Sequence, residues 1–131
     1  MLIDTSALVA ILLSEAEAPA LVDAILGADH RFVAAPSLVE ASAVMLARKG
    51  AGGGIALDAL MERLGIRVLA MSEHAARLAR LGYARFGRGV GSPAVLNYGD
   101  CLAYGVAMAA GEALLFKGED FAQTDVIVAV Y

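Results

Sequence analysis

The sequence predicts an α/β fold in which helices cover a parallel sheet. Short apolar segments typical of strands alternate with longer segments of helical spacing along the whole chain, and this alternation favours a parallel sheet. No internal repeat or linker interrupts it, so we expect residues 1–131 to form one domain. The predicted strands are residues 1–3, 31–35, 66–69, 113–116 and 126–130, and the predicted helices are residues 7–13, 17–26, 36–49, 55–64, 72–86 and 97–110.

In the first half of the chain, each predicted strand leads into a helix. Residues 1–3 are a short buried strand, Asp4 follows at its carboxyl end, and residues 5–6 open the next helix. Pro36 ends the second strand and is tolerated in the first turn of the helix after it. Gly50 closes that helix, which carries two basic residues in its last turn. This order suits the crossover connections that parallel strands require.

The second half of the chain contains two glycine-rich segments. For the three glycines at residues 52–54 we expect a flexible connection, and no Lys-Ser or Lys-Thr pair follows them as in a nucleotide-binding P-loop. For residues 87–93 we expect a mobile loop that brings Arg88 near a site. Asn97 is the predicted N-cap of a buried helix, and the apolar run at residues 126–130 is predicted as the last strand.

Composition limits the possible functions. The net charge of −4 argues against a general nucleic-acid binder, which is usually basic, but it allows an enzyme whose acidic site holds cations against a phosphate. The chain is 60% hydrophobic and 18% charged, with a mean hydropathy of +0.70, which favours an apolar surface covered by a partner over close-packed small-residue helices. The longest apolar run, residues 7–13, is shorter than the ~20 residues of a membrane span. A single cysteine fits a reducing, cytoplasmic location.

Four acidic residues occupy comparable positions in the predicted fold. Asp4 and Asp120 follow strands, whereas Glu40 and Asp100 lie in the first turns of helices. Each has a structural explanation of its own, as a helix cap or a turn residue. In a parallel sheet, however, strand ends and the helix starts after them share one edge, where four carboxylates repel one another unless cations lie between them. The sequence therefore predicts a site for a hard cation such as Mg²⁺ or Mn²⁺.

No protein nucleophile competes with this prediction. His30 and His74 lie in a loop and at a helix start, and neither has a serine or cysteine partner at a suggestive spacing. Cys101 falls inside a buried helix and is expected to be an inert thiol. The absence of a Cys and His cluster also argues against structural zinc.

Four motifs, in order along the chain, make the sequence resemble a PIN domain and, within that superfamily, the VapC-type toxins of bacterial type II toxin–antitoxin pairs. They are Met-Leu-Ile-Asp-Thr-Ser at residues 1–6, Pro-Ser-Leu-Val-Glu at 36–40, Leu-Asn-Tyr-Gly-Asp-Cys-Leu-Ala-Tyr at 96–104 and Leu-Leu-Phe-Lys-Gly-Glu-Asp-Phe at 114–121. The third and fourth are the most specific. The resemblance covers the whole chain and implies a PIN-like three-layer α/β/α fold with a central, mainly parallel sheet of four to five short strands.

The resemblance implies a magnesium-dependent endoribonuclease, with manganese as an alternative ion. The family's metal-binding and catalytic acids correspond to Asp4, Glu40 and Asp100. Asp120 corresponds to the fourth acid, although many relatives carry a further acid two residues earlier, where this chain has Gly118. Hydrolysis by a metal-activated water would leave a 5′-phosphate and a 3′-hydroxyl.

Other residues are expected to support these acids. Asp125 is an alternative source of the fourth charge, with Thr124 beside it, and Thr5 or Ser6 resembles the hydroxyl that orients the first carboxylate or a metal-bound water. The candidate contacts to the RNA backbone, from their positions alone, are Arg85, Arg88 and Lys117. The implied partners are the RNA substrate and a VapB-like antitoxin that wraps the apolar surface, in a homodimer or a toxin–antitoxin hetero-oligomer.

Two kinds of alternative remain open at this point. A receiver domain needs a pair of acids after the first strand, and an aspartyl phosphatase needs a second aspartate two residues after the first. Asp4 has no acidic neighbour, and Ser6 occupies the second position. A PIN-like module that binds RNA or protein but has lost catalysis is the other alternative, although it would have no reason to keep a repulsive acidic cluster.

Overall fold

A computed structural model describes residues 1–131 and contains a parallel sheet between two layers of helices. The strands are β1 (Leu2–Ile3), β2 (Phe32–Ala34), β3 (Arg67–Leu69) and β4 (Leu114–Leu115), and the helices are α1 (Thr5–Leu12), α2 (Ala18–Gly27), α3 (Ala35–Lys49), α4 (Ala51–Leu64), α5 (Glu73–Phe86) and α6 (Tyr98–Ala110). The sheet order is β3-β2-β1-β4, and every neighbouring pair is parallel. The predicted α/β class is confirmed.

The strand register brings the carboxyl ends of three strands to one level. Ile3 pairs with Val33 on one side and with Leu115 on the other. The amide of Asp4 then donates to the carbonyl of Leu115 at 2.9 Å. Residues that follow β1, β2 and β4 therefore meet at the same edge of the sheet, where open α/β sheets bind their ligands.

Alternation along the strands divides the core in two. Ile3 and Leu115 pack with residues of α1, α2 and α4 on one face of the sheet. Leu2 and Leu114 pack with residues of α5 and α6 on the other face. Since both faces are covered, the strands contain consecutive apolar residues rather than an apolar–polar alternation.

The expected flexible connection at residues 52–54 is wrong, because the three glycines lie within the first turn of α4. The turn between α3 and α4 is instead made by Gly50 alone, at φ 64°. A Cβ on Gly53 would lie 2.4 Å from the carbonyl oxygen of Met45, so this glycine allows the two helices to pack closely. Packing against α3 holds a segment helical that has low intrinsic helix propensity.

The last predicted strand is also wrong. The segment 126–130 makes a single bridge, between Leu114 and Val128, flanked by two backbone hydrogen bonds to Leu114 of 2.8 and 2.9 Å. Of its side chains, only Val126 and Ala129 are buried. Because β4 is only two residues long, residues 126–130 can pair with it at one position only. They cover the outer edge of β4 without forming a regular strand.

The buried helix predicted to begin after Asn97 is α6, which packs mainly on α5. A Cβ on Gly105 would lie 2.3 Å from the carbonyl oxygen of Ala75, and one on Gly82 would lie 2.5 Å from the ring of Tyr104. Glycine at both positions therefore permits the close contact of the two helices. None of the six helices has both the length and the apolar character required to cross a membrane.

Candidate active site

The four acids singled out in the sequence lie at the carboxyl edge of the sheet, on four different elements. Asp4 is the N-cap of α1, and Asp100 is the third residue of α6. Glu40 lies in the second turn of α3 rather than the first, because that helix begins at Ala35. Asp120 lies in a turn after β4. The charges of Asp4, Asp120 and Glu40 all raise the pKa of Asp100, so the structure brings the four carboxylates within electrostatic reach of one another.

Asp4 is the most buried of these acids, with 3% of its surface exposed. Its Oδ2 atom accepts hydrogen bonds from the Ser6 amide at 2.9 Å and from the Ser6 hydroxyl at 2.6 Å. Burial raises the pKa of the Asp4 carboxyl, the hydrogen bonds from Ser6 oppose this rise, and the charge of Glu40 adds to it. A carboxylate in this environment is stabilised when a cation approaches it.

The hydroxyl groups of Thr5 and Ser6 bind different carboxylates. The Ser6 hydroxyl accepts a hydrogen bond from the amide of Lys117 at 3.0 Å and donates to Asp4, so it connects the end of β4 to the first carboxylate. The Thr5 hydroxyl lies 2.8 Å from Oε2 of Glu40 and 3.2 Å from the carbonyl of Ser37. Ser6 is therefore the hydroxyl that orients the first carboxylate, whereas Thr5 orients the second.

Gly99 provides the space for Glu40. A Cβ at Gly99 would lie 2.5 Å from Oε1 and 2.8 Å from Oε2 of Glu40, which places this carboxylate against the first turn of α6. The positive end of a helix favours a negative charge there. Gly99 was not among the residues predicted from the sequence, although a glycine in the first turn of a well-capped helix, between two motif residues, was an available signal.

Asp100 combines a capping position with a raised pKa. Its carboxylate accepts from the amide of Asn97 at 2.8 Å, and the Asn97 side chain accepts from the amide of Asp100 at 2.8 Å, which completes a capping box. Burial and the charges of the three neighbouring acids, opposed by the hydrogen bond from the Asn97 amide, together raise the pKa of Asp100 to about 6. The capping hydrogen bonds thus fix the position of a carboxyl group whose charged form is disfavoured by its surroundings.

Asp120 lies on an exposed turn that is anchored by its neighbours. Phe121 is buried and packs against Phe116 with 5.1 Å between ring centroids, and the Thr124 hydroxyl donates to the carbonyl of Phe121 at 2.7 Å. Thr124 thus closes the turn instead of meeting the other acids. Gly118 has a φ of 102°, which residues with a side chain rarely adopt, so an acid at this position would be strained in the turn as it is formed here.

The remaining candidates are engaged within the chain. Asp125 accepts from Arg85 at 2.7 Å and from the Tyr104 hydroxyl at 2.9 Å, and it is not among the charges that raise the pKa of Asp100. The Lys117 ammonium lies 2.5 Å from a carboxylate oxygen of Glu15 and 3.0 Å from one of Glu17.

Of the three candidate RNA contacts, Arg88 alone forms no ion pair. Arg85 and Lys117 are each held by a carboxylate of this chain, whereas the exposed Arg88 is fixed only through its backbone, whose amide donates to Leu96 at 2.9 Å. Leu96 directly precedes Asn97, the N-cap of α6, so the base of this loop lies beside the helix that carries Asp100.

The carboxylate oxygens of the four acids are suitable ligands for a hard cation, but the side chains do not point to one common position. No three histidine, cysteine or carboxylate side chains meet at metal-ligand distances around one point. The physical reason is that each carboxylate turns toward a donor of its own: Ser6 for Asp4, Thr5 for Glu40 and the Asn97 amide for Asp100. All available donors at this edge are oxygens, which suits Mg²⁺ or Mn²⁺ and not zinc.

The residues expected to have no catalytic role, His30, His74 and Cys101, do not belong to the acidic cluster. The backbone carbonyl of His30 accepts from the N-terminal ammonium at 3.0 Å, at the opposite end of β1 from Asp4. His74 lies in the first turn of α5. Burial raises the pKa of the Cys101 thiol to about 11, so this residue is protonated near neutral pH and is not a nucleophile.

Comparison with known proteins identifies similar sequences and a similar structure. A family model for the PIN domain matches residues 1–127. The chain is 46% identical over 126 residues to Ribonuclease VapC28 of Mycobacterium tuberculosis, covering 96% of this chain and 95% of that protein. It is 44% identical over 126 residues to Ribonuclease VapC of Mycolicibacterium smegmatis, covering 96% and 97%. The crystal structure of Mycobacterium tuberculosis VapC20, described as a sarcin–ricin-loop-cleaving toxin, superposes with a TM-score of 0.78 at 17% identity, covering 98% of this chain and 97% of that one, which supports the fold alone.

Proposed function

Since this chain belongs to the PIN-domain family and, within it, to the VapC ribonucleases, we propose that it is a Mg²⁺-dependent endoribonuclease and the toxin of a type II toxin–antitoxin pair. The observation that carries the metal dependence is that four carboxylates share one edge of the sheet and none of them forms an ion pair with a basic side chain. We also propose that residues 1–131 form one PIN domain, because a single sheet supports both cores, and that the protein acts on RNA in the cytoplasm.

The proposed ligands are Asp4, Glu40, Asp100 and Asp120. Bound there, Mg²⁺ (or Mn²⁺) would offset the charge of the scissile phosphate and lower the pKa of a water nucleophile, and this chemistry would give a 5′-phosphate and a 3′-hydroxyl. Ser6 holds Oδ2 of Asp4 through two hydrogen bonds, so Asp4 would hold an ion with its carboxylate oriented by Ser6. The chain itself supplies orientation and negative charge, and the mechanism uses no protein nucleophile.

The test is cleavage of total cellular RNA by the purified protein with Mg²⁺, beside the Asp4→Asn and Asp100→Asn variants and a sample in excess chelator. We expect the parent to cut and the chelated sample and both variants to lose cutting. Equal cutting by all three proteins would indicate a contaminating nuclease. If the parent binds RNA without cutting it in either Mg²⁺ or Mn²⁺, the inactive binding module is the better description.

Exposed apolar side chains support the proposed partner. Val39 and Leu46 on α3 are 69% and 61% exposed, and Ile55 on α4 is 73% exposed. A VapB-like antitoxin or a second copy of the chain that covers these helices would bury them. The molecular mass in solution, measured alone and with the cognate antitoxin, distinguishes a homodimer from a toxin–antitoxin hetero-oligomer. A monomer in both conditions would contradict this part of the proposal.

Arg88 is the proposed contact to the RNA backbone. We expect Arg88→Ala to lower the rate of cleavage at subsaturating RNA about tenfold and to reduce the dependence of binding on salt by about one counterion, as for the loss of one phosphate contact. The matched control is Arg48→Ala, since Arg48 is also exposed but lies in the last turn of α3, away from the acids. Equal cleavage by the parent and both variants would remove Arg88 from the site.

A further inference from the structure

Asp125 holds the far end of the segment that carries Asp120. Both of its carboxylate oxygens are engaged: Oδ1 accepts from the Tyr104 hydroxyl at 2.9 Å, and Oδ2 accepts from Arg85 at 2.7 Å. The donors lie on α6 and α5, so these two hydrogen bonds tie the chain after β4 to both helices of one layer. Each oxygen keeps a further lone pair, so these two bonds fix the position of the carboxylate but do not by themselves exclude it as a metal ligand.

The two donors are themselves held in place by aromatic packing. The ring of Tyr104 lies against Gly82, where a Cβ would be 2.5 Å away, and meets the ring of Phe86 edge-on at 5.9 Å between centroids. The guanidinium of Arg85 lies 4.5 Å from the centroid of the Phe86 ring. The clamp, defined as Tyr104, Arg85 and Asp125, therefore joins two donors that pack on Phe86 to one carboxylate on the loop.

The segment between the two ends is held at its start by Lys117, whose ammonium pairs with Glu15 and Glu17, and within the turn by the Thr124 hydroxyl. At its start, the Lys117 amide is bonded to Ser6, and in its middle Phe121 is the one buried side chain. The residues around Asp120 are otherwise exposed. The ion pair of the clamp is half-exposed, with 55% and 42% of the two side chains accessible, so we expect it to order this loop locally and to add little to global stability.

We propose that Asp125 is a positioning residue, which acts through the Tyr104 and Arg85 donors to hold Asp120 where it joins the other three acids. The inference rests on the proposed metal-dependent function and decides between the two candidates for the fourth acid. Asp120 follows β4, whose pairing with β1 brings it to the edge of the sheet that carries Asp4, and Asp125 is tied by its two hydrogen bonds further along the same loop.

The experiment compares Tyr104→Phe, Asp125→Asn and Asp120→Asn, with Arg77→Ala as control because Arg77 forms an exposed ion pair with Glu73 on the same α5 helix. Hydrogen exchange of residues 117–126 is measured in the metal-free protein, and Mn²⁺ affinity is measured by calorimetry. We expect Tyr104→Phe and Asp125→Asn each to speed exchange in this segment and to weaken Mn²⁺ binding about tenfold, as for other outer-shell partners of a metal site. Arg77→Ala should change neither quantity.

The double variant Tyr104→Phe with Asp120→Asn separates positioning from general destabilisation. If the clamp acts through Asp120, Tyr104→Phe has no further effect on Mn²⁺ affinity once Asp120 is neutral. Additive losses would overturn the proposal, as would a loss of Mn²⁺ binding in Asp125→Asn that Tyr104→Phe does not share, since Asp125 would then be a ligand. A parent that binds Mn²⁺ but cuts no RNA contradicts the proposed function and leaves this comparison intact.

Discussion

Replacing Asp100 with asparagine will lower RNA cleavage about a thousandfold and, at the same time, stabilise the metal-free protein near neutral pH. The loss of activity follows from the proposed metal site, because a bound metal contributes several kcal/mol of transition-state stabilisation, and ~4 kcal/mol corresponds to about three powers of ten in rate. The gain in stability follows from the raised pKa of Asp100, whose charged form the metal-free fold disfavours.

The sign of the stability change depends on pH. The ordinary pKa of an aspartate, 3.8, describes the unfolded chain, and the folded protein raises it to about 6, so the native state binds more protons between these values. The contribution of Asp100 to the free energy of unfolding therefore falls as pH rises through the folded pKa. The full rise corresponds to ~3 kcal/mol, which solvent exposure and the lost interaction with the helix end reduce to ~1 kcal/mol.

Asparagine isolates the charge because its side-chain oxygen can still accept from the Asn97 amide and preserve the cap. Denaturant unfolding in chelator should give equal stabilities for parent and variant near the unfolded pKa and a more stable variant at neutral pH. Added Mg²⁺ should then stabilise the parent and not the variant. A variant that is less stable than the parent throughout this pH range would show that the charge of Asp100 does not destabilise the metal-free fold.

The fold was predictable from the sequence wherever local pattern and tertiary structure agree. Strands followed by capped helices gave the correct class and the common edge of the acids. The two wrong elements share a cause, since both were assigned from local composition and decided by distant contacts. The glycines at 52–54 are helical because Gly53 packs on Met45, and the apolar run at 126–130 finds only two residues of β4 beside it.

The common placement of the candidate acids was predictable from the sequence, but the partners of the polar side chains were not. Spacing indicated the acids, because a carboxylate after a parallel strand can lie at one edge only. Which partner holds each polar group depends on residues far apart in the chain. Lys117 meets Glu15 across 102 positions and Arg85 meets Asp125 across 40, so two of the three proposed RNA contacts proved to be paired internally. Nothing in the local sequence around Lys117 or Arg85 marks these partners.

Gly99→Ala is the variant with the next largest expected effect, because it moves a candidate ligand without altering any charge. The added methyl group would lie 2.5 Å from Oε1, 2.8 Å from Oε2 and 2.9 Å from Cδ of Glu40. These atoms are the end of a flexible side chain, so the carboxylate moves while the backbone stays. Glu40 then leaves its hydrogen bond from Thr5, and a displacement of about 1 Å at a reacting site costs about a hundredfold in rate.

The same change leaves the fold intact, which makes the two effects separable. Alanine is a better helix former than glycine by up to ~1 kcal/mol, so the variant should unfold no more easily than the parent. Gly54→Ala is the matched control, because it also replaces a helical glycine but has no atom within 4 Å of the new methyl group. We expect Gly54→Ala to cut RNA at the parental rate and Gly99→Ala to fold normally while cutting poorly. Parental cutting by Gly99→Ala would mean that the position of Glu40 is not needed for hydrolysis, and Glu40 would then be a structural neighbour of the site instead of a ligand.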